Sequence, residues 1–248
     1  MRLNKRYRLN FYLLLLALTG GCVSPKSNVP AYTWADSQSA LKALCQRSRA
    51  VHTVSSECAL TLTRENGDSV RLDGAVAMKL PDSVRMRAWK MGQAVFDLTM
   101  TPAGLWIESP PDPDRRGQVL PATLSTARMA RAWSIISGEF FCGGDLTVID
   151  TGGPCFRVER NIQGQHIVCW VDRISLTPER YSVVDSNGVS RFTLLLDRYQ
   201  IINGIVWPTR MTARSQRSRI MIELKETELN GELAPNAFVP PRKAEKMQ

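Results

Sequence analysis

Cys22 is the residue whose type and position point most directly to chemistry. It follows a positive segment (Arg2, Lys5, Arg6, Arg8), an apolar run from Phe11 to Leu18, and the small-residue stretch Thr19-Gly20-Gly21. That order is the order of a secretory signal. Eight apolar residues reach roughly 12 Å as a helix, far short of a ~30 Å bilayer core, so the run is too short to be a spanning anchor. A cysteine after small residues matches the pattern of a bacterial lipobox, in which the thiol is diacylated and the signal removed at Gly21; Thr19 stands where Leu is usual. The expected organisation is a signal over 1–21, a lipid-anchored tether over 22–33, a domain over 34–241 and a basic tail over 242–248.

Lipid on Cys22 leaves Cys45, Cys58, Cys142, Cys155 and Cys169, an odd number in a compartment that permits disulfides. Cys155 and Cys169 flank a turn at 161–165, which suggests that they face each other. Cys45 and Cys58 could staple the first helix to the first strand. The alternative is that these cysteines stay free and buried as small apolar residues.

Other reactive types are sparse. His52 and His166 sit in no metal spacing, and no Gly-x-Ser-x-Gly or phosphate loop occurs. The chain is therefore expected to be no enzyme and to need no metal or cofactor. Net charge falls from +9 to +5 once the four basic residues of 1–21 leave. A mild positive excess suits an anionic membrane surface. The scattered basic residues carry no nucleic-acid motif. Arg85 and Arg87 could meet headgroup oxygens or simply face solvent.

The elements that must position these residues begin after a polar tether with Pro25 and Pro30. Asp36 is placed to cap a helix to about Ala50, with Leu41, Leu44, Cys45 and Ser48 on one side. The period then changes to two. Alternating stretches follow at Cys58–Leu62, at Val70–Leu80 with a break at Gly74, at Val84–Trp89, at Phe96–Met100 and at Leu105–Glu108. A second helical stretch covers Thr123–Ser137 and can end at Gly138. Six more strands follow, and Asn203-Gly204 marks a hairpin. A peripheral, partly loose tail closes the chain from Pro235. The fold class is mainly β with two or so helices. About ten or eleven antiparallel strands would form an incomplete barrel under a helical lid, enclosing an apolar space.

Three segments carry a family resemblance. They are "SSECALTLTRENGDSVRLDGAVAMKLPDSVRMRAW" (55–89), "VFDLTMTPAGLWIE" (95–108) and the ending "FTLLLDRYQIINGIVWPTRMTA...IMIELKETELNGELAPNAFVPP". In order and pattern they resemble the LolA/LolB superfamily of periplasmic lipoprotein carriers and receptors. The resemblance covers most of 36–241. It implies a half-barrel with a helical lid that holds acyl chains, with a lipidated protein or lipid as cargo. Partners would be the membrane, through the N-terminal lipid, and a soluble periplasmic carrier. The receptor branch is itself a lipoprotein and projects an apolar residue from a loop of the first meander. Met91 occupies that place here, as a membrane- or carrier-contacting tip or as an unpacked hairpin residue.

Acyl-chain walls would come from Leu60, Leu62, Met78, Met86, Phe96, Leu98, Met100 and Trp106, with Met129 and Trp133 on the lid. The other reading makes them a solid core. The implied role is lipoprotein sorting or localisation at the bacterial outer membrane, facing the periplasm; the alternative is a structural envelope lipoprotein with a filled core and no cargo.

Overall fold

The computed structural model describes residues 29–109, 135–136, 138–162, 164–215 and 218–247. Its first helix among the described residues, α1, spans Ser37–Arg49, as the Asp36 cap requires. Asp36 is extended at φ −155, and its carboxylate accepts the Ser39 backbone N–H at 2.8 Å and the Ser39 hydroxyl at 2.8 Å. These bonds satisfy donors the first turn would leave open and hold the carboxyl below its ordinary range. Arg47 and Arg49 lie in the last turn, where the helix dipole favours cations. Ala40, Leu41 and Leu44 are buried.

The strands are β1 Thr53–Arg64, β2 Ser69–Lys79, β3 Ser83–Lys90, β4 Gln93–Thr101 and β5 Gly104–Glu108, then β6 Thr147–Ile149, β7 Cys155–Ile162, β8 Gln165–Asp172 and β9 Thr177–Val184. They continue with β10 Ser190–Ile202, β11 Ile205–Ser215, β12 Ser218–Leu224, β13 Glu228–Leu229 and β14 Glu245–Met247. All belong to one antiparallel sheet in the order β14-β5-β4-β3-β2-β1-β12-β11-β10-β9-β8-β7-β6, with β13 beside β1. The two ends of that order do not pair, so the sheet is an unclosed half-barrel.

Three of the fourteen strands (β6, β13 and β14) are only two or three residues long, which is why alternation in the sequence reveals ten or eleven. Two details differ from expectation. β2 is continuous through Gly74, where a Cβ would come within 2.5 Å of the Leu60 side chain and 2.7 Å of the Arg87 carbonyl. The glycine is there for close packing and does not break the strand. The peripheral C-terminal tail ends in an ordered strand: β14 covers the edge of β5, pairing Glu245 with Ile107 and Met247 with Leu105.

Registers assign every strand's two faces. On the inner face Leu60 lies opposite Leu72 and Ile222, Met86 opposite Leu98, Met100 opposite Leu105, and Cys169 opposite Val158 and Tyr181. The outer face carries Arg85, Asp97 and Thr99. The same registers define two rims. One collects the turns after Arg64, Lys90 and Val184. The other collects the turns after Lys79, Thr101, Asp172 and Ile202. Tyr32 joins this second rim, its N–H donating to the Ile174 carbonyl at 2.6 Å.

Candidate functional site

The wall residues expected from sequence mostly share the inner face. Leu60, Met78, Phe96, Leu98 and Met100 are buried within the hydrophobic core, and Leu62 and Met86 are half-buried against it. Trp106 is not among them. It pairs with Thr99 on the outer face, while its neighbours Leu105 and Ile107 point inward, because side chains alternate along a strand. There Lys246 lies over its ring at 5.4 Å from the centroid. Cys22, Met129 and Trp133 lie outside the described residues, as does the stretch expected to be helical over 123–137 except for residues 135 and 136. Ile135 and Ile136 are helical, and Gly138 follows at φ 72, in the left-handed region glycine favours at a helix end.

An apolar recess of about 80 Å³ opens between α1, this helix end and β9–β11. Leu44, Ile135, Phe141, Tyr181, Leu196 and Trp207 line it. The Trp207 indole Nε1 is buried with no hydrogen-bond partner among the described residues. Phe140 meets Phe141 edge-to-face at 5.1 Å and Tyr181 at 5.5 Å, forming an aromatic floor. These residues were missed at the sequence level. The alternation of Leu194, Leu196 and Met211 marks an inner face, but which strands lie beneath α1 is a matter of chain path.

The recess has a fastened cover. A 3-10 turn, Glu139–Cys142, continues from Gly138, and Cys142 forms a disulfide with Cys45 of α1. Both expected pairings are thereby corrected. Cys155 lies opposite Asp172, not Cys169, because the hairpin closes with Ile162 opposite Gln165 and the register differs by three residues from the expected one. An odd shift puts the two cysteines on opposite faces: Cys169 is buried inside and Cys155 is partly exposed outside. Cys58 sits mid-strand on the inner face, between Gly74 and Leu224, and is free. Burial pushes its thiol up to about 11. Burial, and then the nearby Glu179 carboxylate, do the same to Cys155, also to about 11.

Further bonds hold the cover. Arg47 donates to the carbonyls of Ser175 at 3.0 Å and Leu176 at 2.8 Å, and Arg160 donates to those of Glu139 at 3.3 Å and Phe140 at 3.2 Å. Beneath the cover, Tyr199 of β10 donates its hydroxyl to the Pro178 carbonyl of β9. A Cβ at Gly138 would fall 2.2 Å from the Ser48 Cβ, so the cover touches α1 at backbone distance.

On the outer face Asp97 accepts from Arg85 Nε at 2.9 Å, from Arg85 Nη2 at 2.8 Å and from Arg87 Nε at 2.8 Å. Burial works against the carboxylate, but these guanidinium bonds prevail and lower its pKa. Arg85 is thus committed to a paired carboxylate, whereas Arg87 bonds it only through Nε and its side chain is 61 % exposed. Beyond them, Lys90 pairs with Gln93 across the turn Met91-Gly92, where φ is 50 and 76. This is the turn geometry that favours Asn-Gly, and Asn203-Gly204 adopts it at φ 51 and 78. Met91 is 92 % exposed.

Among the described residues no three His, Cys, Asp or Glu side chains gather as a metal site, and no helix is long and apolar enough to cross a membrane. No family model matches the sequence, and no curated protein matches it. Solved structures do match the fold. A LolA superfamily protein from Nitrosomonas europaea aligns at TM-score 0.56 with 15% identity, over 83% of this chain and 98% of that one. A DUF1329 family protein from Desulfovibrio piger aligns at 0.58 with 15% identity, over 82% and 98%. A candidate outer membrane lipoprotein-sorting protein domain from Vibrio parahaemolyticus aligns at 0.54 with 13% identity, over 82% and 97%. Matched along nearly the whole length of these chains, the open antiparallel sheet of this chain has a LolA-like fold.

Proposed function

We propose that this chain is a membrane-anchored binding protein for lipids or the acyl chains of lipoproteins, tethered through lipid on Cys22 and acting in lipoprotein sorting or localisation at the bacterial outer membrane. The observation that carries this reading is the apolar inner face lying under a two-part cover, α1 and residues 135–136 and 138–142. The likeness in fold to the Vibrio domain, named for lipoprotein sorting, supports it. Burial yields roughly 0.8 kcal/mol per methylene, so an acyl chain needs no ion pair to be held. The free Trp207 Nε1 would suit the ester or amide oxygen at the head of such a chain.

The described recess of about 80 Å³ is smaller than the ~150 Å³ cavity that accepts one benzene. Loading therefore requires the cover to lift from β9–β11. The test is titration of the Cys22→Ser chain with a fluorescent fatty acid. Saturable binding, competed by palmitate and abolished by filling the recess with Leu196→Trp in a folded protein, is the expected result. A folded wild-type chain that binds no probe would sink the carrier reading.

The second reading, a scaffold lipoprotein without cargo, is favoured by one observation: Leu60, Met78, Leu98 and Met100 are only 1–5 % exposed. On that reading the probe fails, and outward-facing substitutions, not Leu196→Trp, abolish function.

A further inference from the structure

The two rims of the half-barrel carry different exposed apolar groups. β1 crosses from one to the other over twelve residues, roughly 36 Å at ~3.3 Å per residue. At its Arg64 end lies the rim of Met91, since β1, β2, β3 and β4 alternate in direction. At its Thr53 end lies the rim of the β8–β9 and β10–β11 turns.

This second rim presents Ile174, 67 % exposed, and Ile201, 45 % exposed. Tyr32 links them. Its N–H holds the Ile174 carbonyl, and with Pro30 it borders a recess of about 520 Å³ whose other side is Ile201, Gly204 and Ile205. The described chain starts here, at Val29, seven residues after Cys22. Seven residues reach at most ~25 Å even when fully extended. A lipid on Cys22 therefore holds this rim, and not the Met91 rim, within a short distance of the bilayer.

We propose that the rim formed by Tyr32, Ile174 and the Ile201–Ile205 hairpin rests on the membrane that holds the Cys22 lipid, and that Met91 is turned away from that membrane towards the periplasm. The proposal rests on the reading of Cys22 as acylated. Isolated apolar side chains bind a bilayer weakly. A tether this short keeps them at high local concentration beside it, so two isoleucines suffice to set orientation. With the rim seated, the turn at Met91-Gly92 is free for a soluble partner that approaches from the aqueous side.

Hydrogen–deuterium exchange on the full mature chain, with acylation verified by mass, provides the test. The protein is compared on phosphatidylethanolamine–phosphatidylglycerol vesicles and as the Cys22→Ser form in solution. The expected result is exchange slowed by about tenfold at the amides of the exposed Ile174 and of 203–204 on vesicles, with none of this at 91–92. The double variant Ile174→Asp, Ile201→Asp, altered only at exposed positions, should stay vesicle-bound through its lipid yet lose that protection. Protection at 91–92 in place of 203–204, or at neither, overturns the proposal. Absence of the acyl mass removes the anchor reading and this orientation with it, whereas acylated protein without rim protection removes the orientation alone.

Discussion

Asp97 and Met91 sit within seven residues of each other and follow opposite rules. Asp97 is paired as physical chemistry prefers, its carboxylate gripped by two guanidiniums on the outer face. Because its folded pKa is lowered, its contribution to stability is complete above the unfolded carboxylate value of about 3.9 and is lost as pH falls through the lower folded value. Asp97→Asn should cost about 1–3 kcal/mol near neutral pH, since Arg85 keeps its partly buried charge without a counter-ion. Urea midpoints followed from pH 6 downward (roughly two pH units above that unfolded value) should show the gap between variant and wild type closing in acid. A gap that persists or widens in acid would disprove this role.

Met91, by contrast, occupies a left-handed turn position where a non-glycine residue costs about 1–2 kcal/mol and asparagine is tolerated. Met91→Asn should therefore raise stability by about 0.5–1 kcal/mol, read from the same denaturation curves. A loss of stability would mean that the methionine packs in the fold, contrary to its exposure. Met91 could be picked out from the sequence only through the likeness to a family with an apolar residue in that loop; its backbone strain could not.

The elements were largely readable from local pattern. Asp36 before a stretch of helical spacing gave the correct start of α1, and Asn203-Gly204 gave a hairpin. Alternation located ten or eleven strands, ran β13 into the strand before it and passed over β6 and β14, which are too short to show a period. Disulfide pairing was not legible. A register error of three residues is invisible in a hairpin sequence, yet it moved Cys169 to the face opposite Cys155. The bond that forms instead joins α1 to the 3-10 turn across 97 residues. Replacing both Cys45 and Cys142 by Ala should lower stability by about 2–4 kcal/mol in oxidising buffer. The difference should vanish when the wild-type protein is denatured under reducing conditions. Equal midpoints for the oxidised wild type and the double variant would show that the cover is held without the bond.

For the whole molecule, the sequence by itself determined a period-two chain with one capped helix, a cysteine after an export-like segment, and too few reactive side chains in metal or nucleophile spacing to suggest catalysis. Those features depend on residues close together in the chain, where caps, turns and alternation act. The tertiary structure decided what depends on residues far apart. It placed Trp106 outside and Trp207 inside, and it brought Leu44, Phe141 and Leu196 around one recess. It also joined Cys45 to Cys142 and set Met91 and the entry of the chain on opposite rims. Alternation states that a strand has two faces. Only the order β14-β5-β4-β3-β2-β1-β12-β11-β10-β9-β8-β7-β6 says which face is covered and which rim lies beside the tether, because long-range pairing is chosen by the burial of the whole sheet and not by any one segment.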